Sequence, residues 1–92
     1  MHPKMYMYKR IVDAKQFMDK HYADKIDLNK IAGSAHFSKY HFLRLFKESF
    51  GKSPHQYLTD VRIHHAKKLL QGEQSLAQVC FAVGFESITS FA

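Results

Sequence analysis

The sequence predicts an all-α fold. Apolar residues recur at steps of three and four along the whole chain, and nothing alternates with period two for long. Asp, Ser and Pro stand where helices would begin, and Gly stands where they would end. Only two prolines occur, Pro3 and Pro54.

Met7, Ile11, Ala14, Phe17/Met18 and His21/Tyr22 place an amphipathic helix over roughly 5–22. Residues through about Lys4 are expected to be loose. Asp27 is a candidate N-cap for a short second helix with Leu28, Ile31, Ala32 and Ala35 on one face. Ser38 offers the next cap, and Phe42, Leu45, Phe46 and Phe50 line the inner side of a third helix that Gly51 stops. Ser53 then caps a long fourth helix, with Pro54 at its first position, where a missing N–H costs nothing. Its inward face is expected to carry Tyr57, Leu58, Val61, His65, Ala66, Leu69 and Leu70, with Gly72 ending it. Ser75 caps a fifth helix with Leu76, Val79, Cys80 and Val83 inward, ended by Gly84. Ser87 and Ile88 open one more, four residues before the chain stops.

At 92 residues, with 46% apolar side chains and 14% aromatic ones, the chain can build one small core. A single cysteine, Cys80, makes no internal disulfide and suits a reducing cytosol. No apolar run spans a membrane, and the N-terminus has no signal-peptide core. Fourteen Lys and Arg against eight acids give a net charge of +6, which favours an anionic partner, most often nucleic acid.

An internal repeat lies in the spacing. Leu28-x-x-Ile31-Ala32-x-x-Ala35-His36-Phe37 matches Leu76-x-x-Val79-Cys80-x-x-Val83-Gly84-Phe85 at a constant offset of 48. Glu86 is a one-residue insertion, after which Ser38, Tyr40 and Phe42 answer to Ser87, Thr89 and Phe91 at an offset of 49. Each unit is a short helix, a turn and a capped second helix, the helix-turn-helix arrangement. Ala32 and Cys80 are the small residues that let its two helices approach.

The run from Ser38 to Lys47, then Gly51-Lys52-Ser53-Pro54 and Tyr57, closely resembles the first half of the DNA-binding domain of the AraC/XylS family of transcription regulators. The helix with Arg62, Ala66 and Leu69-Leu70 is similar to that family's linker helix, and Ser75 to Phe91 is similar to the start of its second half. The resemblance implies two helix-turn-helix subdomains joined by a long linker helix. They would span 5–52 and 75–92, with the linker over 53–71, inside a single DNA-binding domain of residues 1–92. Members of the family continue past the counterpart of Phe91. The second unit is therefore expected to be cut off within its recognition helix, with 86–92 poorly anchored or held by a neighbouring molecule, and this chain is expected to bind DNA more weakly than the intact domain.

The third helix has a second face. Lys39, Tyr40, Leu43, Arg44 and Lys47 form a stripe that mixes cations with a large aromatic and a leucine. In a major groove Arg44 can bond bidentately to guanine, Leu43 can pack on a thymine methyl, and Tyr40 can touch a base edge or a phosphate. Lys39 and Lys47 suit phosphates, as does Ser38 with the N–H groups at the helix start. By the offset, Thr89 and Ala92 take the places of Tyr40 and Leu43 in the second unit. The bland alternatives are an Arg44–Glu48 ion pair, an ordinary exposed leucine, and a tyrosine lying over its own helix.

Seven histidines show no i, i+4 pair and no pairing with cysteine, so no metal is expected; no cofactor is expected either. Cys80 on an apolar face reads as core, and Arg62 as a tie between helices through Asp60, Asp27 or backbone carbonyls. No paired acids, phosphate loop or nucleophile elbow is present, so the chain reads as a non-enzyme. The expectation is a bacterial, cytoplasmic, nucleoid-associated regulator that reads double-stranded DNA, with RNA polymerase as a further partner. An effector-binding domain, which many members carry, would belong to the parent protein. The alternative is a small helical protein-interaction module, docking a polymerase subunit, with an incidental basic surface. A weaker option is binding of nucleic acid through charge alone.

Overall fold

The computed structural model describes residues 3–86, and the side chains from Met5 onward. Five helices follow one another, α1 (Pro3–His21), α2 (Leu28–Ser34), α3 (Lys39–Phe50), α4 (Pro54–Leu69) and α5 (Leu76–Ala82), with no strand among the described residues. Helix α1 therefore begins earlier than the spacing predicts, and Pro3 and Lys4 already belong to it. The expected loose start is corrected there: proline at a first helical position costs nothing. Helix α4 ends before Gly72, because Leu70 to Gly72 already form a turn, with the Gly72 N–H on the Leu69 carbonyl at 3.1 Å.

Each cap expected among the described residues is made, and Ser87 and Ile88 lie outside them. Asp27 Oδ1 accepts from the Lys30 N–H at 2.8 Å, and Ser38 Oγ accepts from the His41 N–H at 3.3 Å. Ser53 and Ser75 go further. Gln56 and Gln78, three residues on, each accept at Oε1 from the capping residue's own N–H, at 2.9 Å in both cases. These are closed capping boxes, which satisfy two orphan donors at each helix start. Gly51 ends α3 in the left-handed region at φ 75°, where its N–H reaches the Lys47 carbonyl at 2.8 Å.

Two apolar clusters form. The first joins Ile11, Ala14 and Met18 of α1, Ile31 and Ala32 of α2, Phe42 and Phe46 of α3, and Leu58 of α4. The second joins Ala66 of α4 with Val79, Cys80, Val83 and Phe85. Helix α4 is thus shared: its first half closes one cluster and its second half founds the other. Tyr57 braces the first half, because its hydroxyl donates to the Asp19 carboxylate. Burial, together with that bond, pushes the Tyr57 hydroxyl up from its ordinary range, so it remains a donor at neutral pH.

Three expected core positions are exposed: Leu69, Leu70 and Leu76. The reason lies in what covers them. The pattern Arg10-Ile11-x-x-Ala14-x-x-Phe17-Met18 in α1 recurs as Arg62-Ile63-x-x-Ala66-x-x-Leu69-Leu70 in α4, at an offset of 52. Met18 is fully buried in the cluster that Phe42 and Phe46 of α3 complete, whereas no described helix closes over Leu70, which stays 41% exposed.

Candidate nucleic-acid interface

The repeat seen in the sequence is also a repeat of backbone bonds. Helices α2 and α5 begin and end 48 residues apart, at Leu28–Ser34 and Leu76–Ala82. After α2 the Phe37 N–H returns to the Ala32 carbonyl at 3.0 Å; after α5 the Phe85 N–H returns to the Cys80 carbonyl at the same distance. The residue before each phenylalanine takes positive φ, His36 at 59° and Gly84 at 102°. Both turns redirect the chain in one way, and the first sends it into α3 at Ser38.

Arg10 holds that first turn, although the sequence reading assigned it no role. Its Nε donates to the Ala35 carbonyl at 2.8 Å, and a second guanidinium nitrogen donates to the His36 carbonyl. The guanidinium also lies over the Phe37 ring, 4.1 Å from its centroid. The signal that could have found it is the Arg10–Ala14 and Arg62–Ala66 correspondence.

Helix α3 presents Lys39, Tyr40, Arg44 and Lys47 to solvent, with Tyr40 79% exposed. Among the described residues the ion pairs are Lys15–Asp19, His21–Asp24 and Lys52–Asp60, so Arg44 is not paired with Glu48. Lys39, Arg44 and Lys47 therefore form a cationic stripe, with Tyr40 beside them. Leu43 departs from the expected stripe. It is half-buried and lines a hollow of about 210 Å³ with Leu28, Ile31, Pro54 and Leu58, so it seats α3 against α2 and α4 as well as facing outward. Ser38 caps the helix at the stripe's end, with Lys39 next to it. Thr89 and Ala92 lie outside the described residues.

The remaining tempting groups find structural places. Cys80 is fully buried. His21 pairs with Asp24 at 3.0 Å, His41 meets the Phe37 ring edge-on, and His65 stacks on Tyr22 with ring centroids 4.0 Å apart. Arg62 chooses backbone carbonyls over Asp60 or Asp27: Nε donates to Tyr22 at 2.7 Å and Nη2 to Asp24 at 3.2 Å. Burial lowers the Arg62 guanidinium from its ordinary range, and Glu86 opposes that shift. Among the described residues no cluster of His, Cys, Asp or Glu could hold a metal, and no helix is long and apolar enough to cross a membrane.

A helix-turn-helix domain family matches residues 31–92. The uncharacterized HTH-type transcriptional regulator YbfI of Bacillus subtilis is 37% identical over 70 residues, which are 76% of this chain and 26% of that protein. The lactose operon transcription activator of Staphylococcus xylosus is 31% identical over 83 residues, 89% of this chain and 30% of the activator. The chain spans about a quarter to a third of the length of these curated relatives. Among solved structures, the DNA-binding domain of AdpA, in complex with a target DNA, superimposes with a TM-score of 0.82 at 26% identity, covering 88% of this chain and 74% of that one. An AraC-type transcriptional regulator from Chromobacterium violaceum gives 0.80 at 28% identity, covering 91% and 76%. By its matched residues, its repeated turn and its helix order, this chain belongs to the helix-turn-helix domain family of AraC-type transcriptional regulators.

Proposed function

We propose that the chain is the DNA-binding part of a bacterial transcription regulator, and that α3 enters the major groove of double-stranded DNA. The observation that carries this is the stripe of Lys39, Tyr40, Arg44 and Lys47, exposed and unneutralised on the second helix of a helix-turn-helix. A solvated face has no need of three cations that avoid the nearby Glu48, whereas a groove lined with phosphates does. The DNA-bound AdpA domain, similar in fold, supports the same partner.

In this reading Lys39 and Lys47 bind phosphates and hold the helix in register. Ser38 does the same through its hydroxyl and the N–H groups at the start of α3. Arg44 reads a guanine through two parallel bonds. Tyr40 meets a base edge or the backbone. Leu43 offers a thymine methyl only the part of its side chain that α2 and α4 leave uncovered.

Two reading units, 5–52 and 75–92, share the linker helix over 53–71, and Thr89 and Ala92 take the base-reading positions of the second by the offset of 49. A molecule 50 Å long by 20 × 19 Å has the reach for adjacent major grooves about 34 Å apart. Its targets would be direct repeats rather than palindromes. The regulator would act in the cytoplasm on the nucleoid, with RNA polymerase as its downstream partner and effector sensing supplied by another domain. The chain itself would be non-catalytic. The protein-interaction alternative is less favoured, because it leaves the cationic stripe without a purpose.

Selection from randomised duplex at several salt concentrations tests the reading. An enriched motif is expected. Arg44→Ala should relax one base position at a cost of about 1–3 kcal/mol. Lys47→Ala should weaken all sequences alike and reduce the salt slope by about one. No enrichment at any salt, with Arg44→Ala binding like the wild type, rules the reading out.

A further inference from the structure

We propose that Tyr22, Arg62 and Gly84 form a rigid joint between the two halves of the chain, which makes Arg62 a positioning residue for whatever the two halves read together. The functional part of this inference rests on the DNA-binding reading above. The mechanical part does not.

The contact joins the Tyr22 and Arg62 side chains to backbone from both halves. Tyr22 packs against both apolar clusters. It stands just beyond the end of α1, where carbonyls lack helical partners. Arg62 supplies donors to two of the carbonyls there, Tyr22 at 2.7 Å and Asp24 at 3.2 Å, and its guanidinium lies 5.7 Å from the centroid of the Phe85 ring. One side chain on the shared helix thus grips the connection after α1 and the turn after α5 together.

Gly84 closes the joint. A Cβ placed there would lie 2.6 Å from the Tyr22 carbonyl oxygen, 2.9 Å from Arg62 Nε and 3.2 Å from Ala23 Cα. The two backbones meet with no side chain between them, so little can slide or compress. Beside the joint the halves stand apart. A groove of about 640 Å³ opens there, bordered by Ile26 and His55 on one side and Phe81 on the other. Besides the continuous helix α4 and the His65 ring stacked on Tyr22, it is the planar fork of Arg62 that ties the halves together. Lysine presents a point charge and cannot bridge two fixed carbonyls in the same way.

The test measures distances by electron spin resonance on the full chain, with Cys80→Ala removing the native thiol. One nitroxide pair spans the joint, at Ser49 of α3 and Ala82 of α5; a control pair, Lys20 and Ser49, stays within the first half. All three sites are exposed. Narrow distributions are expected for both pairs in the otherwise unaltered chain. Arg62→Gln should broaden the pair across the joint and leave the control narrow, and Arg62→Lys should do the same to a lesser degree. A narrow cross-joint distribution in both variants overturns the joint. Broadening of both pairs in both variants also overturns it, because Arg62 would then support folding in general. In a parallel duplex-binding measurement, Arg62→Gln should weaken binding about 2- to 30-fold, the usual scale for a residue that acts through geometry. Arg44→Ala should leave both distances unchanged. If the wild type binds no duplex, the DNA reading fails while the distances still decide the joint.

Discussion

The two apolar clusters are built from one pattern and end in different states. Around α1 the pattern is closed: α2 and α3 pack on it, and Ile11, Ala14 and Met18 are buried. Around the second half of α4 the same residue types recur, and Ala66 is equally buried under Val79 and Cys80. Yet Leu69 and Leu70, the counterparts of Phe17 and Met18, remain exposed among the described residues. An apolar side chain at helical spacing is thus only a candidate for burial. Its contribution depends on a third element crossing over it.

The largest test of that contrast is a pair of truncations. Met18→Ala should cost about 2–5 kcal/mol, since it leaves a cavity under Phe42 and Phe46. Leu70→Ala removes the corresponding side chain from a surface and should cost less than about 1 kcal/mol. Urea unfolding of both variants decides it. Equal costs would mean that Leu70 is covered in solution and that the two clusters are alike.

The turns make a second comparison. His36 and Gly84 occupy one slot and both have positive φ, but His36 is exposed whereas Gly84 is pressed against the Tyr22 backbone. Gly84→Ala adds left-handed strain to a close clash and should cost about 2–4 kcal/mol. His36→Gly should be neutral or stabilise by about 1 kcal/mol, because His36 is exposed and a histidine bears the left-handed strain there. Thermal unfolding of the two variants checks both signs. A Gly84→Ala protein as stable as the wild type would break the account of why the turns differ.

Much of this was legible beforehand, because helix caps and apolar periods are local. Asp27, Ser38, Ser53 and Ser75 cap where the spacing predicts, and the offset of 48 carries through to the bonds of Phe37 and Phe85. Apart from the ends of α1 and α4, the misses are tertiary. Leu70 looks like core because periodicity cannot say whether a partner is present. Leu43 looks exposed because the hollow it enters is assembled from three helices. Gly84 reads as a helix terminator, whereas its closest constraint is the carbonyl of a residue 62 positions earlier. On the candidate interface, the sequence placed Lys39, Tyr40, Arg44 and Lys47 on one stripe and the geometry keeps them exposed together. Arg10, which holds the turn leading into that helix, was hidden because its partners are carbonyls, and every residue has one.

The smallest effect concerns the ring that meets Tyr22 between the halves. His65 lies parallel to the Tyr22 ring, within 3°, and has no counterpart in the first half, where Asp13 occupies the equivalent position. Burial lowers its affinity for a proton, Lys68 and His64 on its own helix lower it further, and Asp19 of α1 opposes them. The folded protein therefore protonates His65 less readily than the unfolded chain does. Stability from the neutral ring is fully present above the ordinary histidine value near about pH 6.5. It is lost as the pH falls from there through the lowered folded value, since the unfolded chain takes up its proton first. His65→Phe keeps an aromatic ring on Tyr22 and removes the proton. Its melting temperature should therefore drop less between pH 7.5 and pH 5.5 than that of the wild type. Identical drops would mean that His65 titrates alike in both states and that the stack contributes nothing to the pH dependence of the contact between the halves.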